Sequence, residues 1–563
     1  MLHKTLKVNS TDNVIVALRD LAAGEVVTHD GTDYTLTHDV AAKHKFVTEA
    51  LNTGDAVMMY GVLVGRAKQS IARGEIVTTF NLKHDSETYS TFKRKPYAWT
   101  PPDVSKWQGR TFRGYRRSDG KVGTYNYWLV LPLVFCENRN ILILKDAFER
   151  ELGYAQPDIY RDQVRSLVVG HLSEVNGREP EVRSQESDYS TSKNPRPTSH
   201  DPHLTSGARL FENIDGIKFL THEGGCGGTR HDANTLCALF AAYSVHPNVA
   251  GITVLSLGCQ NAEIKTLKEE IQKRSPAFNK PLLIFEQQDG TEFAMMSAAI
   301  EQTFKGLISA NEAEREDIPI SELVLGLKCG GSDGFSGISA NPVLGRVSDI
   351  LVAVGGKTIL AEFPELHGVE QELLNRCVSE EKAAKFERLM RDYSGKVEAA
   401  GSSFAFNPSP GNIKDGLITD AIKSAGAAKK GGGAPIQDVT NYTEISSERG
   451  LQLACTPGND VEATTGKTAA GATVIVFTTG LGTPTGNPIC PVVKASTNSK
   501  LAHKMPDVID FDCGPVILGE QTIEQNADDM LELIIKIASG QQLTKAQILA
   551  QDDFIPWKRG VSL

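Results

Sequence analysis

The residues best equipped for chemistry in this sequence lie in short glycine-rich loops. The segment "THEGGCGGTRHD" places His222, Glu223, Cys226, Arg230, His231 and Asp232 within eleven residues. Its glycines let the backbone turn sharply and aim N–H groups at an anion. A helix beginning near His231 adds the positive end of its dipole. The segment "LKCGGSDGFSGISANPVLGR" places Cys329, Ser332, Asp333, Ser336 and Asn341 just before a helical pattern. Helix capping accounts for one such polar residue, not for the whole set. "LGCQ" adds Cys259 and "FCEN" adds Cys136, each of which alone reads as a packed strand end. Imidazole, thiolate and carboxylate are ligands for iron, manganese or zinc. The same imidazoles and carboxylates serve as general acids and bases.

Other loops are rich in hydroxyls and amides. "FNPSPGN" holds Asn412, "CTPGND" holds Asn459 and Asp460, and "TTGLGTPTG" holds Thr479 and Thr483. Each alone is ordinary turn chemistry. With Ser332, Ser336 and Asn341 they form the lining expected for a polyhydroxylated ligand, which needs many hydrogen-bond partners. Lys494 follows an apolar strand and suits a carboxylate partner or a base. "AEFPEL" supplies Glu362 and Glu365, bases or metal ligands. No HExxH or CxxC set is present, so metal ligands must be gathered from distant loops.

The elements that carry these loops follow a strand–loop–helix rhythm. "YWLVLPLVFC", "IKFLTHEGGC", "GITVLSLGCQ", "LVLGLKCGG" and "ATVIVFTTG" are apolar strands, four of them ending near a cysteine. Helical patterns lie between them, including "SAAIEQTFKGLIS" and "NEAEREDIPISEL". The rhythm predicts an α/β region with mainly parallel sheets, whose ligand sites lie beyond the carboxyl ends of the strands. Residues 1–95 differ: short apolar runs between glycine turns predict a small all-β module. Residues 96–110 predict an extended linker. Residues 111–390 are expected to form a first α/β region and 391–563 a second that completes the site. The polar, Pro- and Ser-rich stretch 178–203 is expected to be a mobile insertion, and "AAKKGGGAPIQD" a flexible connection.

The 563 residues exceed one hydrophobic core. A net charge of −10 argues against a general nucleic-acid binder. No apolar run approaches the roughly 20 residues of a membrane helix. The N-terminus "MLHKTLKVNSTDNV" lacks the apolar core of a signal peptide, so a cytoplasmic location is expected, with no membrane partner. Nine scattered cysteines suit a reducing compartment better than a disulfide framework.

The motifs resemble those of the altronate/galactarate dehydratase family, almost end to end. "STDNVIVAL", "HKFV" and "YGVLVGRA" are similar to the family's SAF-type N-terminal domain. "GLKCGGSDGFSGISANPVLGR", "NPSPGN", "PGND" and "TTGLGTP" are similar to the signatures of its large catalytic part. The resemblance implies a sugar-acid dehydratase, converting D-altronate to 2-dehydro-3-deoxy-D-gluconate in hexuronate breakdown. It implies a divalent metal, usually iron; the ligand types admit manganese second, and an iron–sulfur cluster on three of the strand-end cysteines Cys136, Cys226, Cys259 and Cys329 ranks below. His222, Cys226, Cys259, Cys329, Ser332 and Asp333 match motif positions. We expect His222, Cys226, Cys259 and Cys329 as metal ligands, and His222, Asp333, Glu362 and Lys494 as acid–base groups. The partner is a small sugar acid, and a homo-oligomer is compatible with the sequence. Asn9 stands where the family often has His, and Leu481 where relatives often show Arg. These departures keep three alternatives: galactarate, a sulfonated hydroxy acid, or a binding protein without catalysis.

Overall fold

The computed structural model describes residues 4–155, 159–176 and 209–560. The expected insertion at 178–203 lies outside the described residues. The N-terminal β domain is built from short antiparallel strands. Val14–Ala17 lies between Thr5–Leu6 and Lys45–Val47, and Val62–Ala67 lies between Ala56–Met59 and Leu82–Lys83. Side chains alternate across a strand, and "VIVA" uses both faces. Ile15 and Ala17 pack into the domain's own core with Val27, Leu36 and Phe46. Val14 and Val16 face the other way, into the main core shared with the C-terminal α/β lobe. The domain is therefore not an appendage: one face of this strand packs inside it and the other joins the main core of the chain.

After the linker, a four-stranded parallel sheet runs in the order Gly216–Phe219, Tyr127–Pro132, Val249–Ser256, Leu282–Glu286. Both faces are covered, as a parallel sheet requires. Trp128 and Val130 pack with Ile141 and Leu144 on one side, and Leu129 and Leu131 with Leu236 and Phe240 on the other.

The larger sheet has seven parallel strands in the order Ile436–Thr440, Gly450–Ala454, Lys357–Ala361, Val324–Cys329, Val474–Thr479, Val492–Ser496, Phe511–Asp512. From Val324–Cys329 the chain first builds outward through Lys357–Ala361, then returns to add Val474–Thr479 on the opposite side. This reversal is a topological switch point, where open α/β sheets bind ligands.

Three expectations change. The division expected at 390/391 runs through this sheet, two of whose strands precede it; the break between the two sheets comes after Leu282–Glu286. "NEAEREDIPISEL" is not a helix. Glu316–Pro319 is a strand paired with Thr111–Arg116, which Pro319 at its end permits and a helix interior does not. The glycine-rich stretch at 427–438 is a buried turn, Lys429–Gly431, leading into the Ile436–Thr440 strand. Gly345 lets it approach: a Cβ there would lie 2.1 Å from the Lys429 carbonyl oxygen.

Candidate functional site

The carboxyl ends of the central strands converge on a network of buried charge. Lys328, in the Val324–Cys329 strand, has its ammonium against Glu362 and 2.8 Å from Asp460. Lys430 lies 3.3 Å from Glu362, 3.8 Å from Glu365, and 3.1 Å from the Cys329 sulfur. Lys467 lies 3.2 Å from Glu362. Lys423 lies 3.3 Å from Glu365 and donates to Asn407 Oδ1 at 3.0 Å. The Cys329 thiol donates to Glu365 Oε2 at 3.2 Å. Four ammonium groups thus serve three carboxylates.

The electrostatics follow from that crowding. Burial pushes the Glu362 carboxyl up, but Lys328, Lys467 and Lys430 outweigh it and hold the group down to about 2. Burial lowers Lys467 to about 8, with Glu362 pulling the other way and the neighbouring ammoniums adding to the drop. For Lys328 and Lys430, burial is overcome by the surrounding anions, and both ammoniums are held above their ordinary value. Glu362 also adopts a left-handed backbone, φ 70°, which costs a non-glycine residue on the order of 1–3 kcal/mol. Its N–H donates to Thr456 Oγ1 at 3.0 Å. The strained backbone aims the carboxylate into the ring of cations.

Above this network opens a cavity of about 560 Å³. Gly330, Gly331, Ser332, Glu365, Asn407, Lys423 and Asp460 are among its lining groups, with Phe404 and Phe406 as an apolar wall. Asn459 caps the Asp460–Ala469 helix, accepting from Val461 N–H at 3.1 Å, so the positive helix end faces the cavity.

Of the expected substrate contacts, Ser332, Asn459 and Asp460 line the cavity. The others support it. Asn412 Nδ2 donates to Ser332 O at 2.8 Å, and Asn341 Oδ1 accepts from Thr478 Oγ1 at 2.6 Å. Thr479 Oγ1 accepts from Gly482 N–H at 3.0 Å, folding the loop that carries Thr483. Ser336 Oγ donates to Asp333 Oδ1 at 3.1 Å. Asp333 is fully buried, accepting also from Phe335 N–H and Thr497 Oγ1 and pairing with Lys43 of the β domain. Its surroundings make it a docking group rather than a free base. Lys494 is buried under the Phe477 ring and donates to Thr485 O; burial lowers it to about 8 despite Asp510.

The four expected metal ligands are not brought together. Cys329 ends a strand of the seven-stranded sheet and is buried, whereas Cys226 and Cys259 follow strands of the four-stranded sheet and are exposed. His222 spends both ring nitrogens inside the protein. Nδ1 accepts from Gly224 N–H at 2.9 Å and Nε2 donates to Pro132 O at 2.9 Å. Burial lowers it to about 4 against the pull of that carbonyl, so the ring is neutral and structural. Among the described residues, two groups place ligand atoms within 4.8 Å of one another: Cys329, Glu362 and Glu365, and His84, His367 and Asp420.

Comparison with known proteins agrees with this architecture. The family description "Altronate/galactarate dehydratase SAF domain" matches residues 3–85, and "D-galactarate dehydratase/Altronate hydrolase, second domain" matches 114–311. "D-galactarate/Altronate dehydratase, C-terminal" matches 320–562. The chain belongs to the altronate/galactarate dehydratase family. It is 34% identical over 546 residues to an altronate dehydratase of Bacillus subtilis (strain 168), covering 95% of each chain. It is 32% identical over 537 residues to the altronate dehydratase of Escherichia coli (strain K12), again covering 95% of each. Galactarate dehydratase (L-threo-forming) of the same organism is 28% identical over 553 residues, covering 96% of this chain and 93% of that one. The family's three matched segments coincide with the β domain, the four-stranded sheet and the seven-stranded sheet.

The sequence does not single out Lys328, Lys423, Lys430 and Lys467 of the buried network, nor the His84, His367 and Asp420 group. Lys328 left a signal: a lysine inside the apolar strand "LVLGLKC" must be buried, and a buried ammonium needs a carboxylate. Lys430 left none, hidden in a run that reads as a linker.

Proposed function

We propose that this chain is a cytoplasmic hydro-lyase acting on a sugar acid, with D-altronate as substrate and 2-dehydro-3-deoxy-D-gluconate and water as products. One observation carries the reading. The buried network beneath the cavity holds one more ammonium than carboxylate, and an anionic substrate completes the balance. The hydroxyl, amide and glycine N–H groups of Ser332, Asn407 and Gly331 suit a polyhydroxylated chain.

In this reading Lys423 holds the substrate carboxylate, aided by the helix end at Asn459. Glu365 takes the proton from the carbon next to that carboxylate. The enolate charge that develops faces Lys423 and, behind it, Lys430, both buried and so weakly screened. Glu365 then returns its proton to the hydroxyl leaving the adjacent carbon, and water departs. The enol left behind tautomerises to the 2-keto acid. Glu362 is not the base, because its three ammonium partners keep it ionised and tied.

The family resemblance adds a divalent metal, Fe2+ first and Mn2+ second, which supplies positive charge for the carboxylate and enolate when bound. Cys329, Glu362 and Glu365 do not suit it, since four ammoniums already occupy the carboxylates and repel a further cation. One other reading has its own observation. Cys136, Cys226 and Cys259 are exposed on three neighbouring loops, with Phe135 N–H bonded to Gly224 O and Asn261 N–H to Gly225 O. Three thiolates on one rim suit an iron–sulfur cluster with one iron open to substrate. Iron and sulfide content of protein purified without air decides it: a colourless protein lacking sulfide dismisses the cluster.

The deciding test of function is turnover on altronate, galactarate and sulfonated hydroxy acids, following 2-keto acid formation with Fe2+ or Mn2+ supplied. Altronate is expected to lead. Glu365→Gln is expected to lower kcat by about 10²–10⁴-fold with a folded protein. No product from any acid, with binding retained, leaves a binding protein instead.

A further inference from the structure

His84, His367 and Asp420 come from three distant parts of the chain. His84 follows the last strand of the β domain, Leu82–Lys83. His367 follows the Phe363–Leu366 turn that begins at Glu362. Asp420 opens the Asp420–Ala428 helix. Their ligand atoms lie within 4.8 Å of one another, and the two imidazole rings stack at 5.4 Å with a 27° tilt.

We propose that His84, His367 and Asp420 form a divalent-metal site that clasps the N-terminal β domain to the catalytic lobe.

Three features distinguish this group from an ordinary polar cluster. First, the Asp420 side chain is only 1% exposed, yet both carboxylate oxygens lack a hydrogen-bond partner. A buried carboxylate without donors is expensive, and a cation held by both oxygens offsets that cost. Among the described residues no lysine or arginine forms an ion pair with it, in contrast to Glu362 with its three ammonium partners. Second, His367 is held as metal-binding histidines are. Its Nδ1 lies 2.9 Å from Glu370 Oε1, whose other oxygen accepts from Gly368 N–H at 2.7 Å. A carboxylate on one ring nitrogen fixes the ring and leaves the second nitrogen for the ion. Third, the donor set is two imidazoles and one carboxylate. That set suits Fe2+, Mn2+ or Zn2+ and leaves coordination positions for water or substrate oxygens.

The site backs onto the substrate cavity. Phe404, part of the cavity wall, packs its edge against His367 with ring centroids 5.8 Å apart. Glu365 lies two residues before His367, and Lys423 lies one helical turn beyond Asp420. Metal binding therefore couples the β domain, the loop of the proposed base and the helix of the proposed anchor. The site stands on its own geometry and does not depend on which acid the enzyme dehydrates.

The test is Mn2+ titration of chelator-stripped, full-length protein, with free Mn2+ read by electron paramagnetic resonance. The wild type is expected to take up about one Mn2+ per chain. His84→Ala and Asp420→Asn are expected to abolish that uptake. Glu370→Gln keeps all three ligands, and so guards against misfolding; it is expected to weaken uptake by roughly 10–100-fold. Cys329→Ser is expected to bind as the wild type does. No uptake by the wild type, or unchanged uptake in His84→Ala and Asp420→Asn, overturns the site. The measurement needs no substrate: Mn2+ uptake with no turnover removes the assigned activity and keeps the site, and turnover with no uptake does the reverse.

Discussion

The Lys43 ammonium of the β domain lies 3.1 Å from the Asp333 carboxylate in the glycine loop of the catalytic lobe. It lies at the same distance from Asp415, so one lysine ties two loops of the large sheet. Behind it, Lys45 is fully buried and donates to Gly416 O at 2.6 Å and to Lys43 O at 2.9 Å. Burial lowers Lys45 to about 7 despite the pull of Asp333. The β domain is thus bolted to the loop that carries the most distinctive motif of the sequence.

Removing the two partners should not cost the same. Asp333→Ala strips a buried acceptor from Lys43, Thr497, Ser336 and the Phe335 N–H, and is expected to destabilise by about 3–5 kcal/mol. Lys43→Met leaves the buried Asp333 carboxylate its other three donors and is expected to cost less, about 1.5–3 kcal/mol. Urea unfolding of both variants checks the order; equal losses would mean that the ion pair, rather than the local hydrogen bonds, dominates.

Glu362 sets an acid limit. Its folded value is held down to about 2 against an ordinary 4.5. Between those values the unfolded chain takes up the proton and the folded one does not, so stability falls as the pH drops. The contribution is complete well above pH 4.5 and is lost as the pH falls toward 2, on the order of 3 kcal/mol. Glu362→Gln removes this dependence. The stability gap between wild type and variant is expected to narrow steadily with acid in urea titrations, and a constant gap would sink the assignment.

How much of this was legible in the sequence depends on distance along the chain. The two α/β sheets and the β domain follow from local rhythm, which period and turn residues carry. Ser332, Asn459 and Asp460, which line the cavity, stand out in the sequence because loop composition is local too. Lys430 was not, because a lysine in "AKKGGGAP" becomes buried only when a glycine turn is pressed against the Ala340–Ala353 helix. His84 was missed for the same reason: its partners lie hundreds of residues away, and a lone histidine after a strand carries no sign of them. His222 misled, since a histidine among glycines reads as a ligand until its two nitrogens are seen bonded to Gly224 and Pro132.

The glycines of "CGGSDGFSG" supply a further prediction. They serve close approach more than flexibility. A Cβ on Gly337 would lie 2.3 Å from the Tyr60 hydroxyl and 2.7 Å from Gly426 Cα. Gly337→Ala is expected to push the β domain off its seat. Limited proteolysis should then cut the 96–110 linker faster, while the catalytic lobe keeps its helical signal. Wild-type resistance to the protease would show that Tyr60 yields without cost.

Lys423 separates binding from chemistry. It lies at the cavity surface, 3.3 Å from Glu365 and 3.0 Å from Asn407 Oδ1. As anchor of the substrate carboxylate it acts in both ground state and transition state, so its loss should appear mainly in KM. A charge-assisted hydrogen bond contributes about 1.5–3 kcal/mol, and Lys423→Met is expected to raise KM by roughly 10–100-fold with a smaller change in kcat. Lys423→Arg keeps the charge and should recover part of the loss. If kcat falls alone while KM stays at the wild-type value, Lys423 acts on the departing hydroxyl instead, and the carboxylate must be held elsewhere, with the helix end at Asn459 the next position to vary.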